Sequence, residues 1–211
     1  MKERNTKKAI VDEALELFSL KGFDSVTVAD IANAVGIKAP SLYKHFDSKQ
    51  AIFDAILAEM ETRYEQQAAS MQLDGKNAEK DKDYYADISV EQLIKIGQEL
   101  FLFFLHDEYT SRFRKMLTIE KYRNPVLAAL NAKRYIDDSV SYQKILFGML
   151  SEAGLLLPEN PHIMALHFYS PIFLLLDLCD CCPEREAEAL QLIEQHIRQF
   201  NRLYKVASNN L

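Results

Sequence analysis

TVADIANAVGIKAPSLYKHF, residues 27–46, is the stretch that decides the fold. Thr27 stands three residues before Asp30, the spacing of a capping box, in which side chain and backbone satisfy each other's orphan hydrogen-bonding groups at a helix start. Val28, Ile31, Ala32 and Val35 then share one face of two helical turns, and Gly36 supplies the stop. A turn of Gly36, Ile37 and Lys38 leads into another short helix. Pro40 sits in its first turn, where the missing N–H would have been unbonded anyway. Leu42 and Phe46, four apart, face inward. Ser41, Tyr43, Lys44 and His45 take the remaining surface, with Lys38, Ala39 and Pro40 at the N-terminal end. Two short helices joined by a three-residue turn containing glycine, within a bundle of three, form a helix-turn-helix, whose second helix is the one that enters a major groove.

Outward from this core, Ile10, Ala14, Leu17 and Phe18 mark a first helix that ends in Lys21-Gly22. A fourth helix opens at Asp47 or Ser48, with Gln50 placed to complete a cap, and carries Ile52, Phe53, Ile56, Leu57 and Met60 to about residue 69. Gln72 to Asp87, with DGKNAEKDKD at its centre, is polar and nearly free of aliphatics, so it reads as an exposed connection. Ser89 and Gln92 form a second capping box before Leu93, Ile96, Leu100, Phe103 and Phe104. Further helices are expected at roughly 110–121 and 126–153, the latter thin in apolar residues between Asn131 and Ser139 and closed by Gly154. A helix over 161–182 carries Pro171, which predicts a kink, and a last one runs from Pro183 to about Tyr204.

The whole chain of 211 residues, 48% apolar with six Gly and six Pro, has the composition of an all-α protein. The basic MKERNTKK start is followed by Asp12, Glu13 and Glu16, which argues against a secretory leader. The longest unbroken apolar run, Leu100 to Leu105, is far shorter than a membrane span requires, so a soluble cytoplasmic protein is expected. Net charge is −6, with 8 Lys/Arg against 9 Asp/Glu in residues 1–60 and 17 against 22 in the remainder. The acidity belongs mainly to the larger part, which leaves a nucleic-acid partner open for the first.

GFDSVTVADIANAVGIKAPSLYKHFDSKQAIFDAIL, residues 22–57, closely resembles the tetracycline-repressor (TetR) family of bacterial transcription regulators. The likeness covers residues 7–57. It rests on the aliphatic pattern of the first helix, T-x-x-x-I-A-x-x-x-G in the second, L-Y-x-H-F in the third and S-K opening the fourth. Lys38 departs from the Ser or Thr such regulators often place as the cap of the third helix. The resemblance implies an N-terminal three-helix bundle with the helix-turn-helix, residues 1–47, and a larger C-terminal helical domain, residues 48–211, for effector binding and dimerisation. It implies that Thr27, Tyr43, His45 and Lys49 hold phosphates, and that Lys38, Ala39, Pro40, Ser41 and Lys44 face bases. The chemistry agrees, since hydroxyls and cations bind phosphate, Lys44 can donate to guanine, and Ala39 or Pro40 can pack on a thymine methyl. Lys2, Arg4, Lys7 and Lys8 suit a flexible arm adding backbone or minor-groove contacts.

Leu190, Ile193, Ile197, Phe200 and Tyr204 recur at 3, 4, 3, 4 spacing, and Leu192 and Leu203 widen the stripe beyond what one neighbour would cover. This predicts a homodimer interface, which in the family is built by the last two helices, here about 161–182 and 184–204. A two-fold dimer implies a palindromic operator in double-stranded DNA. Phe104, Tyr109, Phe113, Met116, Tyr142, Phe147, Met149, His167 and Phe173 are candidates to line a cavity for a small hydrophobic effector that relieves repression. No cofactor is expected. Cys179, Cys181 and Cys182 are odd in number and close together, so they suit reduced apolar fillers better than a disulfide framework, with soft-metal or redox sensing as the alternative. His106, His162, His167 and His196 have no spacing that selects zinc, so no metal site is expected. The rival readings are a helical ligand-binding adaptor that has lost DNA binding, and an enzyme using His106-Asp107-Glu108. Neither a G-x-S-x-G elbow nor a glycine-rich phosphate loop is present for the second.

Overall fold

Helix-forming composition is realised almost throughout the chain. The computed structural model describes residues 2–206, with side chains from Thr6 onward. These residues form α1 (Lys2–Lys21), α2 (Val28–Val35), α3 (Ala39–Leu42), α4 (Lys49–Ser70), α5 (Ala78–Asp87), α6 (Val90–His106), α7 (Glu108–Glu120), α8 (Pro125–Ala132), α9 (Asp138–Glu152), α10 (Pro161–Cys181) and α11 (Glu186–Tyr204). A π-helical turn, Lys133–Asp137, lies between α8 and α9, and a 3-10 turn, Pro183–Arg185, precedes α11. Extended pairing among the described residues is limited to an isolated bridge between Leu156 and Lys205. The protein is all-α, as its composition implies.

Two compact units result, one made of residues up to Tyr64 with Asp107–Ala132, the other of Glu65–His106 with Lys133 onward. The helix-turn-helix segment, residues 1–47, lies within the first unit, which also takes in the first part of α4 and all of α7 and α8. Its interior contains Ile10, Ala14, Phe18, Ile31, Leu42, Ile52, Ile56, Phe113 and Leu117, each at most 1% exposed. Burying one such large side chain contributes about 2 kcal/mol, so this small set holds α2 and α3 firmly. Phe53 of α4 packs on Phe113 of α7 with ring centroids 5.9 Å apart. The expected flexible arm is instead helical: Lys7 sits over the Phe46 ring and Lys8 pairs with Asp12 at 2.6 Å. The side chains of Lys2 and Arg4 lie outside the described residues.

In the second unit, α6 packs along α11 around Ile94, Phe101, Ile193 and Ile197, while α5, α9 and α10 meet around Ala78, Leu146, Phe147 and Met164. The Ser89–Gln92 box forms in both directions, at 2.8 and 3.2 Å. The expected open connection over Gln72–Asp87 is corrected by α5. Asn77 caps it by accepting from the Glu79 and Lys80 N–H groups. Asp81, only 3% exposed, accepts from the Asp74 and Gly75 N–H groups at 2.7 and 2.8 Å and from the Tyr142 hydroxyl at 2.7 Å. A carboxylate with three donors is stable in the interior, so polarity of this segment does not mean exposure.

The single helix expected over 126–153 is divided by the π-helical turn where the apolar pattern thins. There the Tyr169 hydroxyl donates to the Tyr135 carbonyl at 2.6 Å, satisfying one of the acceptors that such a turn displaces. α10 runs unbroken through Pro171. It is also long and apolar enough, by length and composition, to cross a bilayer, although the longest uninterrupted apolar run in the sequence is short.

Candidate nucleic-acid interface

The reading surface is built on local capping. Thr27 Oγ1 accepts from the Asp30 N–H at 3.2 Å and donates to the Asp30 carboxylate at 2.6 Å, while the Thr27 N–H donates to that carboxylate at 2.8 Å. The Thr27 hydroxyl, with its backbone N–H, holds the Asp30 carboxyl below its usual range. Gly36, at φ 75°, lets its N–H turn back onto the Ala32 and Asn33 carbonyls and ends α2. The backbone then redirects into α3.

α3 is shorter than expected. Helical geometry covers only Ala39–Leu42, after which Tyr43–His45 continue as turns, with the His45 and Phe46 N–H groups both donating to the Leu42 carbonyl at 2.8 and 3.1 Å. Lys38 occupies the cap position without a side-chain bond, as its lack of an acceptor dictates. Leu42 is fully buried and Phe46 nearly so, which fixes the roll of the segment. Lys38, Pro40, Tyr43 and Lys44 are exposed, while Ala39, Ser41 and His45 are half-buried. Eight of the nine residues proposed for DNA thus stay together on the capped α2–α3 segment, with hydroxyl, ammonium, imidazole and small apolar groups among them.

Lys49, the ninth, is placed differently. Its ammonium donates to the Phe23 carbonyl at 2.8 Å and the Val26 carbonyl at 3.0 Å, and lies 4.4 Å from the centre of the Phe23 ring. Two of its three ammonium donors are thus used within the frame, and one remains for a partner outside it. Ser48 Oγ caps α4 through the Ala51 N–H at 3.0 Å, and Gln50 turns to Asp54 instead of completing a box.

The nine residues suggested for an effector are divided between the two units. Tyr109, Phe113 and Met116 belong to the interior of the first unit, where burial pushes the Tyr109 hydroxyl pKa up. The others lie in the second unit: Phe104 against Tyr135, Phe147 against Phe168 and Phe200, Tyr142 on Asp81, and His167 on the Tyr204 hydroxyl at 2.8 Å. Met149 is half-buried on α9. Phe173 alone of the nine lines a groove of about 250 Å³, with Ile136, Val140, Leu166, Tyr169 and Leu174 as its apolar wall and Ser170 and Asp177 as its polar groups.

The α11 stripe faces the interior of the second unit. Ile193, Ile197 and Phe200 are buried inside the protomer, and Leu190 and Tyr204 pack against the same interior clusters. The period of 3.6 shows that α11 has an apolar face without showing what covers it. The residues left outward are Leu192 and Leu203 on α11, and Ile163, Leu166 and Leu174 on α10, the last 67% exposed. The sequence reading takes in this helix without naming these α10 residues, although their 3- and 8-residue spacings are the available signal.

The remaining candidates have structural tasks. His106 pairs with Glu186 at 2.9 Å, and Asp107 caps α7 through the Thr110 N–H at 2.8 Å and binds Arg63 at 2.9 Å. Cys179 is buried, which raises its thiol pKa, Cys181 is exposed and Cys182 lies between. No cluster of three metal-ligating side chains occurs among the described residues.

Residues 10–56 match the family of bacterial regulatory proteins named tetR. Over 48 residues the chain is 54% identical to the biofilm operon icaADBC HTH-type negative transcriptional regulator IcaR of Staphylococcus aureus (strain Newman), a match covering 23% of this chain and 26% of that protein. The chain therefore spans about a quarter of the length of the curated relatives it matches. Similarity of fold extends much further. A TetR-family transcriptional regulator from Mesorhizobium loti superposes with TM-score 0.70 at 17% identity, covering 98% of this chain and 100% of that one. The SmeT–triclosan complex gives 0.67 at 19%, covering 97% and 93%; SmeT represses the Stenotrophomonas maltophilia efflux pump SmeDEF. AibR, solved with isovaleryl coenzyme A and operator DNA, gives 0.53 at 20%, covering 82% and 86%.

Proposed function

We propose that this chain, which belongs through residues 10–56 to the tetR family of bacterial regulatory proteins, is a sequence-specific transcriptional repressor. It binds double-stranded DNA as a homodimer and is released by a small hydrophobic molecule. One observation carries the reading: Tyr43 and Lys44 stand exposed on a segment whose roll is fixed by buried Leu42 and Phe46. A bulky aromatic and an ammonium held outward by a rigid anchor are what backbone and base-edge contacts need. Repression is supported by the likeness to IcaR, a negative regulator, in this same segment.

Dimerisation is supported by the apolar residues that α10 and α11 leave uncovered, Leu174 and Leu203 foremost. A two-fold pairing through these helices presents two reading segments to a palindromic operator, with half-sites about 34–36 Å apart. Response to a ligand is supported by the folds shared with SmeT bound to triclosan and AibR bound to isovaleryl coenzyme A and DNA. An effector must favour one arrangement of the paired reading heads over another to change operator affinity. The protein then works in the cytoplasm, needs no cofactor and carries out no reaction.

Selection from a pool of random duplexes with the purified full-length protein tests this. The expected result is an enriched inverted repeat, bound with an affinity that falls steeply as salt rises because phosphate counterions are released. Absence of enrichment would overturn it, as would binding indifferent to salt.

A further inference from the structure

The backbone of Phe23, in the turn between α1 and α2, has both its N–H and its carbonyl held by charged side chains from distant parts of the first unit. Its N–H donates to Glu120 Oε1 at 3.2 Å, across 97 residues, and its carbonyl accepts from Lys49 Nζ at 2.8 Å. Glu120 is 3% exposed at the end of α7. A buried carboxylate is costly without donors, so this contact is strongly directional. Gly22 makes the approach possible, because a Cβ there would stand 2.2 Å from Glu120 Oε1. Lys49 additionally holds the carbonyl of Val26, the residue before the Thr27 cap of α2. The Phe23 ring fills the space between, 5.0 Å from Phe18 and 5.1 Å from Phe53. Turn backbone ordinarily faces water and adapts. Here both its polar groups are taken by side chains that belong to α7 and α4.

We propose that Glu120 and Lys49 are positioning residues for DNA reading: they clamp the Phe23 backbone, one through its N–H and the other through its carbonyl, and so fix the direction in which α2, and the reading segment after it, leaves α1. This rests on the DNA-binding function proposed above. It assigns Lys49 a contribution through geometry, distinct from the phosphate contact that its position in the motif suggests. The two roles have different signatures. A cation on a phosphate releases counterions, so its removal lowers the slope of log affinity against log salt by about 0.9, whereas a positioning residue weakens binding at every salt concentration alike.

The experiment uses the full-length protein with its selected operator and the variants Lys49→Met, Glu120→Met and Glu120→Gln, titrated across salt concentrations. Both Met variants are expected to bind about tenfold more weakly with the wild-type salt slope, and Glu120→Gln, which keeps an acceptor, to stay within about threefold. A slope reduced by about 0.9 in Lys49→Met would return Lys49 to the phosphate, and wild-type affinity in Glu120→Met would remove Glu120 from the clamp. Amide hydrogen exchange without DNA tests the clamp independently. Faster exchange at Phe23 and along α2, with α1 unchanged, is expected in both Met variants and absent in Glu120→Gln. Unchanged protection at Phe23 would overturn the proposal. Unchanged protection of α1, which belongs to the same unit as Phe23, establishes that this unit is folded in the variants. Failure of the wild type to bind any duplex would count against DNA reading while exchange still decides the clamp.

Discussion

Lys44 and Lys49 are five residues apart, carry the same charge, and are given different work by their surroundings. Lys44 is exposed with Tyr43 beside it, whereas Lys49 has spent two donors on carbonyls. Lys44→Ala is therefore expected to cost about 1–3 kcal/mol of operator affinity and to relax base preference at one position of each half-site, as read by binding to operator variants. An equal loss on every sequence would make Lys44 a phosphate contact. Two glycines offer a second comparison by magnitude. Both Gly22 and Gly36 have positive φ, but a Cβ on Gly36 would meet nothing within 4 Å, while one on Gly22 would meet the Glu120 carboxylate. Gly36→Ala is expected to cost about 1 kcal/mol from backbone conformation alone, and Gly22→Ala about 2 kcal/mol or more, measured by denaturant unfolding. Equal losses would show that the carboxylate is not crowded against the turn.

Among the elements, those with local signals were legible in the sequence. The Thr27–Asp30 and Ser89–Gln92 boxes, the glycine stops and the Leu42–Phe46 spacing each involve residues within one or two turns, so chain order suffices to read them. What escaped depends on partners remote in sequence. DGKNAEKDKD reads as a solvated loop until Tyr142 and the turn at Asp74 and Gly75 are brought to Asp81. The clamp on Phe23 needs Glu120, and the stripe on α11 has the right period yet faces the protomer's own interior. Asp81→Ala is expected to destabilise the protein by about 2–3 kcal/mol and to lower helical circular dichroism, since it removes the buried acceptor shared by the Asp74 and Gly75 N–H groups and the Tyr142 hydroxyl. A loss under about 0.5 kcal/mol would mean α5 stands without it. His196 ties α11 to α10 by donating from Nε2 to the Phe168 carbonyl at 2.8 Å, and burial, aided by nearby His167, holds its pKa below the usual 6.5. A depressed base binds fewer protons folded than unfolded. Stability is then complete above 6.5 and declines as pH falls below it, toward the folded-state value. Melting temperatures between pH 8 and 5 should fall less in His196→Gln than in the wild type, and parallel curves would contradict this.

At the scale of the whole molecule, a net charge of −6 discourages indiscriminate attachment to DNA, so the proposed binding rests on the placed groups of the α2–α3 segment. The proposed two-fold pairing doubles those groups and, with them, the specificity. Leu174 and Leu203 are exposed apolar residues of the two helices proposed to pair, and Leu174→Glu with Leu203→Glu is expected to give a monomer in sedimentation that binds a half-site only weakly. A variant that remained dimeric would move the interface elsewhere. The most direct measurement is hydroxyl-radical footprinting of the wild-type protein on its selected duplex. The expected pattern is two symmetric protected patches centred about one helical turn, or a whole multiple of it, apart, each lost on substitution of Tyr43 and Lys44 together. A single asymmetric patch, or two patches indifferent to those substitutions, would contradict reading of DNA by a paired α2–α3 segment.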